Sequence, residues 1–234
     1  LARAKGSPVV LMAQIFQVNP LQWMYRTDLF TISRVPYLKG KFVGVTFGGN
    51  DETIMWTLLA SGSMSERDVN IHSVRYDLTP FYRGKADLWP VYVNSQGPII
   101  SQKLSQEGER VAFFNPSDYG VRFVANSVVT SERMVRENPD MARRFVRALL
   151  EGWEAGFNPE NSKAALTMLA RFDNNTPHPI LEKQLAMTRD LVKPSADISI
   201  GTFDVGAWKQ TEAIMLQQKL IKTPVNVDKV LITF

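Results

Sequence analysis

An α/β protein in two lobes is what this sequence predicts, and three observations carry that expectation. The middle of the chain alternates short apolar strands with helical segments, the chain beyond residue 130 reads mostly as helix, and the segments flanking the middle block differ from it in kind. Repeated strand–helix units imply a mainly parallel sheet with helices on both faces, because each right-handed crossover returns over the sheet. The flanking segments imply that the chain crosses between lobes twice, near Arg26 to Asp28 and near Tyr119 to Gly120. Residues 1–27 with 121–234 then make one lobe, and residues 28–120 the other.

Each element has a local cause. Leu1-Ala2-Arg3-Ala4-Lys5-Gly6 reads as the last turn of a helix closed by glycine, and Leu1 in place of Met reads as a processed or truncated start. Val9-Val10-Leu11-Met12-Ala13 is a buried strand, and Leu21-Gln22-Trp23-Met24-Tyr25-Arg26 is a second after the Asn19-Pro20 turn. Residues 42–47 form a strand, Gly48-Gly49-Asn50 a turn, and residues 51–60 a helix with Ile54, Met55, Leu58 and Leu59 at helical spacing behind two acidic residues. Strands over 69–74, 86–93 and 110–114 alternate with helices over 77–83 and 98–104. Residues 121–130 read as one long strand. Asn138-Pro139-Asp140 starts a helix that places Met141, Phe145, Ala148, Leu149 and Gly152 on one face, and helices follow over 162–170, 180–191 and 208–220.

Composition removes whole classes of function. With 44% hydrophobic residues in 234, the chain carries enough apolar side chain for a substantial core, which excludes disorder. Lys plus Arg is 27 against 23 Asp plus Glu, and the arginines are scattered, so no nucleic-acid partner is expected. The absence of cysteine removes disulfides, thiolate metal sites and thiol nucleophiles together. Neither His72 nor His178 sits with a second His, Asp or Glu at i+3 or i+4 in a recognisable metal-ligand motif, so no metal is expected, and His72 reads as a satisfied or exposed strand histidine. No Gly-x-Ser-x-Gly elbow and no P-loop lysine is present.

Two segments have the chemistry to hold a ligand. Gly48-Gly49-Asn50-Asp51 lies where a strand hands over to a helix, so its N–H groups can take an anionic or hydrogen-bonding group; a tight turn with a capped helix is the other reading. Asp51 and Glu52 project about 100° apart and do not form a facing pair of catalytic carboxylates. Tyr76, Phe81, Tyr82, Trp89 and Tyr92 cluster near expected strand ends, where open α/β sheets place ligands and where flat rings stack on flat heterocycles. Phe81 and Trp89 read as core; for Tyr76 and Tyr92 core packing and ligand contact both stay open.

The order of Ala2-Arg3-Ala4-Lys5-Gly6-Ser7-Pro8, Gln17-Val18-Asn19-Pro20, Leu38-Lys39-Gly40-Lys41 and Gly48-Gly49-Asn50-Asp51-Glu52 resembles a known family. So do Tyr76-Asp77-Leu78, Gly84-Lys85-Ala86-Asp87, Asp118-Tyr119-Gly120-Val121, Asn138-Pro139-Asp140 and Leu220-Ile221-Lys222. The family is the "no message in thiamine" group of substrate-binding proteins of ABC importers, which includes binders of thiamine pyrimidine precursors. The resemblance implies a two-lobed, type II periplasmic-binding-protein fold that closes on a small molecule and delivers it to a membrane permease. It also implies a periplasmic or otherwise extracytoplasmic, monomeric, non-catalytic protein without a cofactor, with lipid anchoring of the full-length precursor left open. Family members open with further strand and helix units ahead of the segment matching Leu1, so the first lobe is expected to lack them.

The site implied is Gly49, Asn50 and Asp51 on one side and Tyr76, Tyr92, Asn94 and Gln96 on the other, with Tyr119 at the second crossing. Pyrimidine-precursor binders of this family carry Asn-x-Glu-Gly where this sequence reads Asn94-Ser95-Gln96-Gly97. A carboxylate only accepts hydrogen bonds, whereas an amide donates and accepts, which suits an edge with carbonyl and N–H groups as in oxidised pyrimidines or a flavin. The fungal branch of the family makes the thiamine pyrimidine enzymatically, with a cysteine-rich segment near the position of residues 119–123; this chain has no cysteine.

Overall fold

The computed structural model describes residues 1–74 and 77–234 and divides into two compact units, one of Leu1–Asn19 with Phe123–Phe234 and one of Pro20–Arg122. The structure has the expected mixed α/β character. The boundaries differ from those expected: the crossings fall at 19/20 and 122/123, so residues 20–27 belong with the central block. Strand β2 (Leu21–Arg26) is the reason. All six of its residues are buried, and it lies inside the sheet of the central unit.

That sheet has five strands in the order β4-β3-β5-β2-β6, with β3 (Phe42–Val45), β4 (Asn70–Ser73), β5 (Leu88–Tyr92) and β6 (Val111–Phe114). Strand β3 runs parallel to β4 and β5, whereas β2 is antiparallel to both β5 and β6. The sheet is therefore mixed rather than mainly parallel, because the segment that enters the unit inserts between two strands of the strand–helix series. Helices α1 (Asn50–Ser61), α2 (Thr79–Tyr82) and α3 (Gln96–Gln106) connect the series. Helix α1 buries Ile54, Met55, Leu58 and Leu59, the residues whose spacing predicts it.

A central-strand proline shapes this core. Pro90 in β5 has no N–H to give to the ladder, and the neighbouring Gly44 carbonyl on β3 accepts instead from Trp23 Nε1 at 3.0 Å. Trp23 is fully buried on β2, so its indole reaches past β5 to replace the missing donor. Gly44 is required there: a Cβ would lie 2.9 Å from Pro90 Cδ and 2.9 Å from Trp89 Cε3. Arg26 is the second buried anchor. Its guanidinium pairs with Glu109, donates to the carbonyls of Phe81 at 2.8 Å and Tyr82 at 3.3 Å, and sits over the Phe81 ring, which fastens α2 to β2.

In the other unit β1 (Val9–Gln14) pairs antiparallel with β7 (Ser127–Ser131). The expected strand over 121–130 is thus confined to its end, and residues 121–126 are irregular. Helices α4 (Glu132–Glu137), α5 (Pro139–Phe157), α6 (Ser162–Phe172), α7 (His178–Val192), α8 (Val205–Gln217) and α9 (Val227–Val230) complete it. Buried Gln14 ties β1 to α8: its Oε1 accepts from the Asp204 N–H at 3.1 Å and from Trp208 Nε1 at 2.9 Å, while Nε2 donates to the Phe16 carbonyl at 3.0 Å. Helix α5 buries Ala142, Val146 and Phe157, a stripe one position round from the one expected, and leaves Met141 and Phe145 exposed.

Candidate functional site

The parallel strands of the central unit end together, and the residues at and beyond their C-terminal ends line a cavity of about 300 Å³. After β3 come Thr46, Gly49, Asn50 and Asp51; after β4 comes Val74; and from the end of β5 come Trp89 to Tyr92 and then Gln96. All of these residues belong to the unit of residues 20–122.

The β3–α1 turn is held by its own carboxylates. Asp51, buried, accepts from the Thr46 N–H at 2.5 Å, and Glu52 accepts from the Gly48 N–H at 2.7 Å. The Gly49 N–H donates to the Thr46 carbonyl at 2.8 Å. The N–H groups of Gly48 and Gly49 are therefore used inside the turn, and the N-cap residue Gly49 supplies no side-chain cap to the helix. Burial pushes the Asp51 carboxyl above its ordinary value, against the opposing effect of the hydrogen bonds from Thr46. Gly49 and Asp51 enter the site as rigid wall, and Asn50 is exposed at the first position of α1.

The opposite wall is the end of β5. Tyr92 is 44% exposed and lines the cavity. Its N–H donates to Gln96 Oε1 at 3.2 Å, and its carbonyl accepts from the Ser95 N–H at 3.0 Å, so the turn into α3 is closed from both directions. Trp89 is core, as expected, at 2% exposure and 5.7 Å from the His72 ring, but its edge also reaches the cavity. Leu78, just ahead of α2, lines the cavity as well, so the Arg26 anchor supports the site's rim.

Of the expected residues, Gly49, Asn50, Asp51, Tyr92 and Gln96 are brought together. Tyr76 lies outside the described residues. Asn94 is half-buried and Tyr119 stands elsewhere: its hydroxyl donates to the Ile32 carbonyl at 3.2 Å and its ring stacks on Phe114 at 4.7 Å. Thr46, Val74, Leu78 and Pro90 were not expected. The signal for Pro90 was in the sequence, since proline inside a strand of β-branched and aromatic residues marks a special position. Among the described residues no cluster of His, Asp or Glu is placed to hold a metal ion, and no helix is long and apolar enough to cross a membrane.

The cavity lies at the carboxyl ends of parallel strands, where open α/β sheets place ligands, and the fold is that of periplasmic solute-binding proteins. The alkanesulfonate-binding protein SsuA of Xanthomonas axonopodis pv. citri, solved bound to MOPS, superposes with a TM-score of 0.67 at 18% identity, over 100% of this chain and 76% of that one. The chain belongs to the NMT1/THI5-like family, whose profile matches residues 1–162. Among curated relatives, a riboflavin-binding protein, RibY, of Chloroflexus aurantiacus is 26% identical over 98% of this chain and 65% of its own length. A formylaminopyrimidine-binding protein of Halalkalibacterium halodurans is 24% identical over 96% of this chain and 68% of its own length. The chain thus spans about two thirds of the relatives it matches.

Proposed function

We propose that this protein acts as the extracytoplasmic solute-binding component of an ABC importer and that its cavity contacts a small planar heterocycle, a pyrimidine or a flavin-like ring system. The observation that carries the reading is the convergence of Tyr92, Gln96 and the Gly49 to Asp51 turn on one cavity at the carboxyl edge of the sheet. Each group has a job suited to such a ligand: the exposed Tyr92 ring stacks, the amides of Asn50 and Gln96 read the heterocycle's polar edge, and the rigid β3–α1 turn sets the width of the slot. The relatives support the ligand class, since one is named for riboflavin and the other for formylaminopyrimidine. The partner implied is a membrane permease, and the protein works as a receptor that returns its ligand unchanged.

Fold alone does not separate binding from catalysis, so the test must. Purified protein is incubated with riboflavin and with formylaminopyrimidine, and melting temperature and ligand integrity are followed together. The expected result is a melting temperature that climbs with ligand concentration, as binding to the native state requires, and a ligand recovered intact by mass spectrometry. Tyr92→Ala should weaken binding by about 1–3 kcal/mol, by analogy with bases stacked on aromatic side chains. Conversion of either compound, or binding indifferent to Tyr92, overturns the reading.

A further inference from the structure

We propose that α5 is a dimerisation helix, whose exposed apolar stripe takes the same stripe of a second copy of this chain, antiparallel about a two-fold axis at Ala148. The inference is independent of the heterocycle cavity, since α5 belongs to the other unit, and it replaces the monomer that the family resemblance implies. The helix is apolar on two sides. Ala142, Val146 and Phe157 are buried in the core, whereas Met141, Phe145, Ala148, Leu149 and Gly152 fall together at helical spacing as a second stripe. The described residues leave that stripe open: Met141 is 53% and Phe145 56% exposed, and Ala148, Gly152 and Ala155 are exposed with them. A contiguous apolar stripe bordered by charged residues marks an interaction surface, unlike single exposed side chains.

Two features select a second copy as the occupant. The first is size. The large side chains, Met141 and Phe145, lie in the N-terminal half of the stripe, and the small residues Ala148, Gly152, Ala155 and Gly156 lie in the C-terminal half. A Cβ at Gly152 or Gly156 would meet no atom within 4 Å, so the C-terminal half is an open shelf. Antiparallel pairing about Ala148 sets Phe145 of each copy over Ala148, Gly152 and Ala155 of the other, and Met141 over Gly152 and Gly156, knob into hole. Parallel pairing would set Phe145 against Phe145 and shelf against shelf. The second feature is charge. Arg144 and Glu151 stand one heptad apart on the same edge of the stripe, so the antiparallel pair brings Arg144 of each copy beside Glu151 of the other. Within its own helix Glu151 has only an exposed contact with Arg147 at 4.0 Å, too weak to hold it away. Contacts across a two-fold axis come in pairs, so each match counts twice. One helix of about four turns from each copy makes an interface at the small end of specific ones, which places the monomer–dimer exchange at micromolar concentrations.

The test follows molar mass by sedimentation equilibrium across micromolar concentrations for the parent chain, Gly152→Leu, Arg144→Glu and Glu151→Arg. The parent should pass from monomer to dimer as concentration rises, and no further. Gly152→Leu fills the shelf; because leucine is the better helix former and its Cβ meets nothing in the monomer, its urea midpoint should match or exceed the parent's while dimerisation weakens by about tenfold or more. Arg144→Glu alone and Glu151→Arg alone should each stay monomeric where the parent is dimeric, since each sets like charges together on both sides of the axis. An equimolar mixture of those two variants should recover a dimer, because the reversed charges then match across the axis, a recovery that unspecific apolar association would not show. A parent that is monomeric throughout overturns the proposal and leaves the stripe to a partner of another kind. A mass that climbs past the dimer, a dimer that survives Gly152→Leu, charge reversals that dimerise like the parent, or a mixture that stays monomeric overturns the antiparallel pair as well.

Discussion

Replacing Trp23 by phenylalanine should expose how much of the central unit's stability depends on one side-chain donor standing in for a backbone N–H. The Gly44 carbonyl accepts from Trp23 Nε1 at 3.0 Å, beside a proline that has nothing to donate. Phenylalanine keeps an aromatic ring but leaves that carbonyl unpaired inside the sheet, at a cost of about 1–3 kcal/mol. The missing ring atoms leave a void of roughly 40 Å³, which at about 24 cal/mol per Å³ adds about 1 kcal/mol. Trp23→Phe should therefore destabilise by about 2–4 kcal/mol in urea unfolding followed by circular dichroism. The second half of the experiment isolates the hydrogen bond: Pro90→Ala restores a backbone N–H at the place where the ladder lacks one. In the Trp23→Phe background Pro90→Ala should be more favourable, by about 1 kcal/mol, than it is in the parent. If the two substitutions add within about 0.5 kcal/mol, the indole is not replacing the proline's missing donor and the reasoning fails.

Other consequences stem from the same core and the site above it. Arg26→Met removes the guanidinium from Glu109 and from the carbonyls of Phe81 and Tyr82, so urea unfolding should show a loss of about 3–5 kcal/mol; a loss below about 1 kcal/mol would mean that α2 is held by packing alone. Because Leu78 at the rim precedes α2, the same variant should also weaken binding of any probe that enters the cavity, read by calorimetry. The Asp51 carboxyl is raised by burial, so the folded state holds its proton more tightly than the unfolded one. The stability it contributes is complete below the ordinary value of 3.8 and is lost as pH rises through the raised folded value. Asp51→Asn, which keeps an oxygen for the Thr46 N–H, should therefore gain on the parent between about pH 3 and pH 7 in thermal unfolding; a gap that widens in the parent's favour would show that the charge, not the oxygen, holds the turn.

Much of the local structure was legible in residue order. Helix α1 begins within one residue of its expected start, because Gly48-Gly49 marks the turn and two carboxylates follow it. Strands β1, β2 and β6 fall where their apolar runs are, and the two walls of the cavity were named by the rule that ligands gather at the carboxyl ends of parallel strands. The partners of each group were not legible in the same way. The Gly49 to Asp51 turn offered both a ligand-binding and a capping reading, and only the structure placed the Asp51 carboxylate on the Thr46 N–H, the Glu52 carboxylate on the Gly48 N–H and the Gly49 N–H on the Thr46 carbonyl.

Periodicity, turn residues and caps act over a few residues, so the sequence by itself determined the α/β class, most element positions, the absence of thiol chemistry and the residue types at the strand ends. Only the tertiary structure decided that β2 joins the central sheet, that it runs against its neighbours, and that Met141 and Phe145 lie on the exposed side of α5. It also decided which end of the Gln96 amide is committed to the backbone. The physical reason is the same in each case: a strand's neighbour, a helix's buried face and a side chain's hydrogen-bond partner come from distant segments, and an apolar run such as Leu-Gln-Trp-Met-Tyr-Arg is equally content in either unit until the donors and acceptors of both are in place.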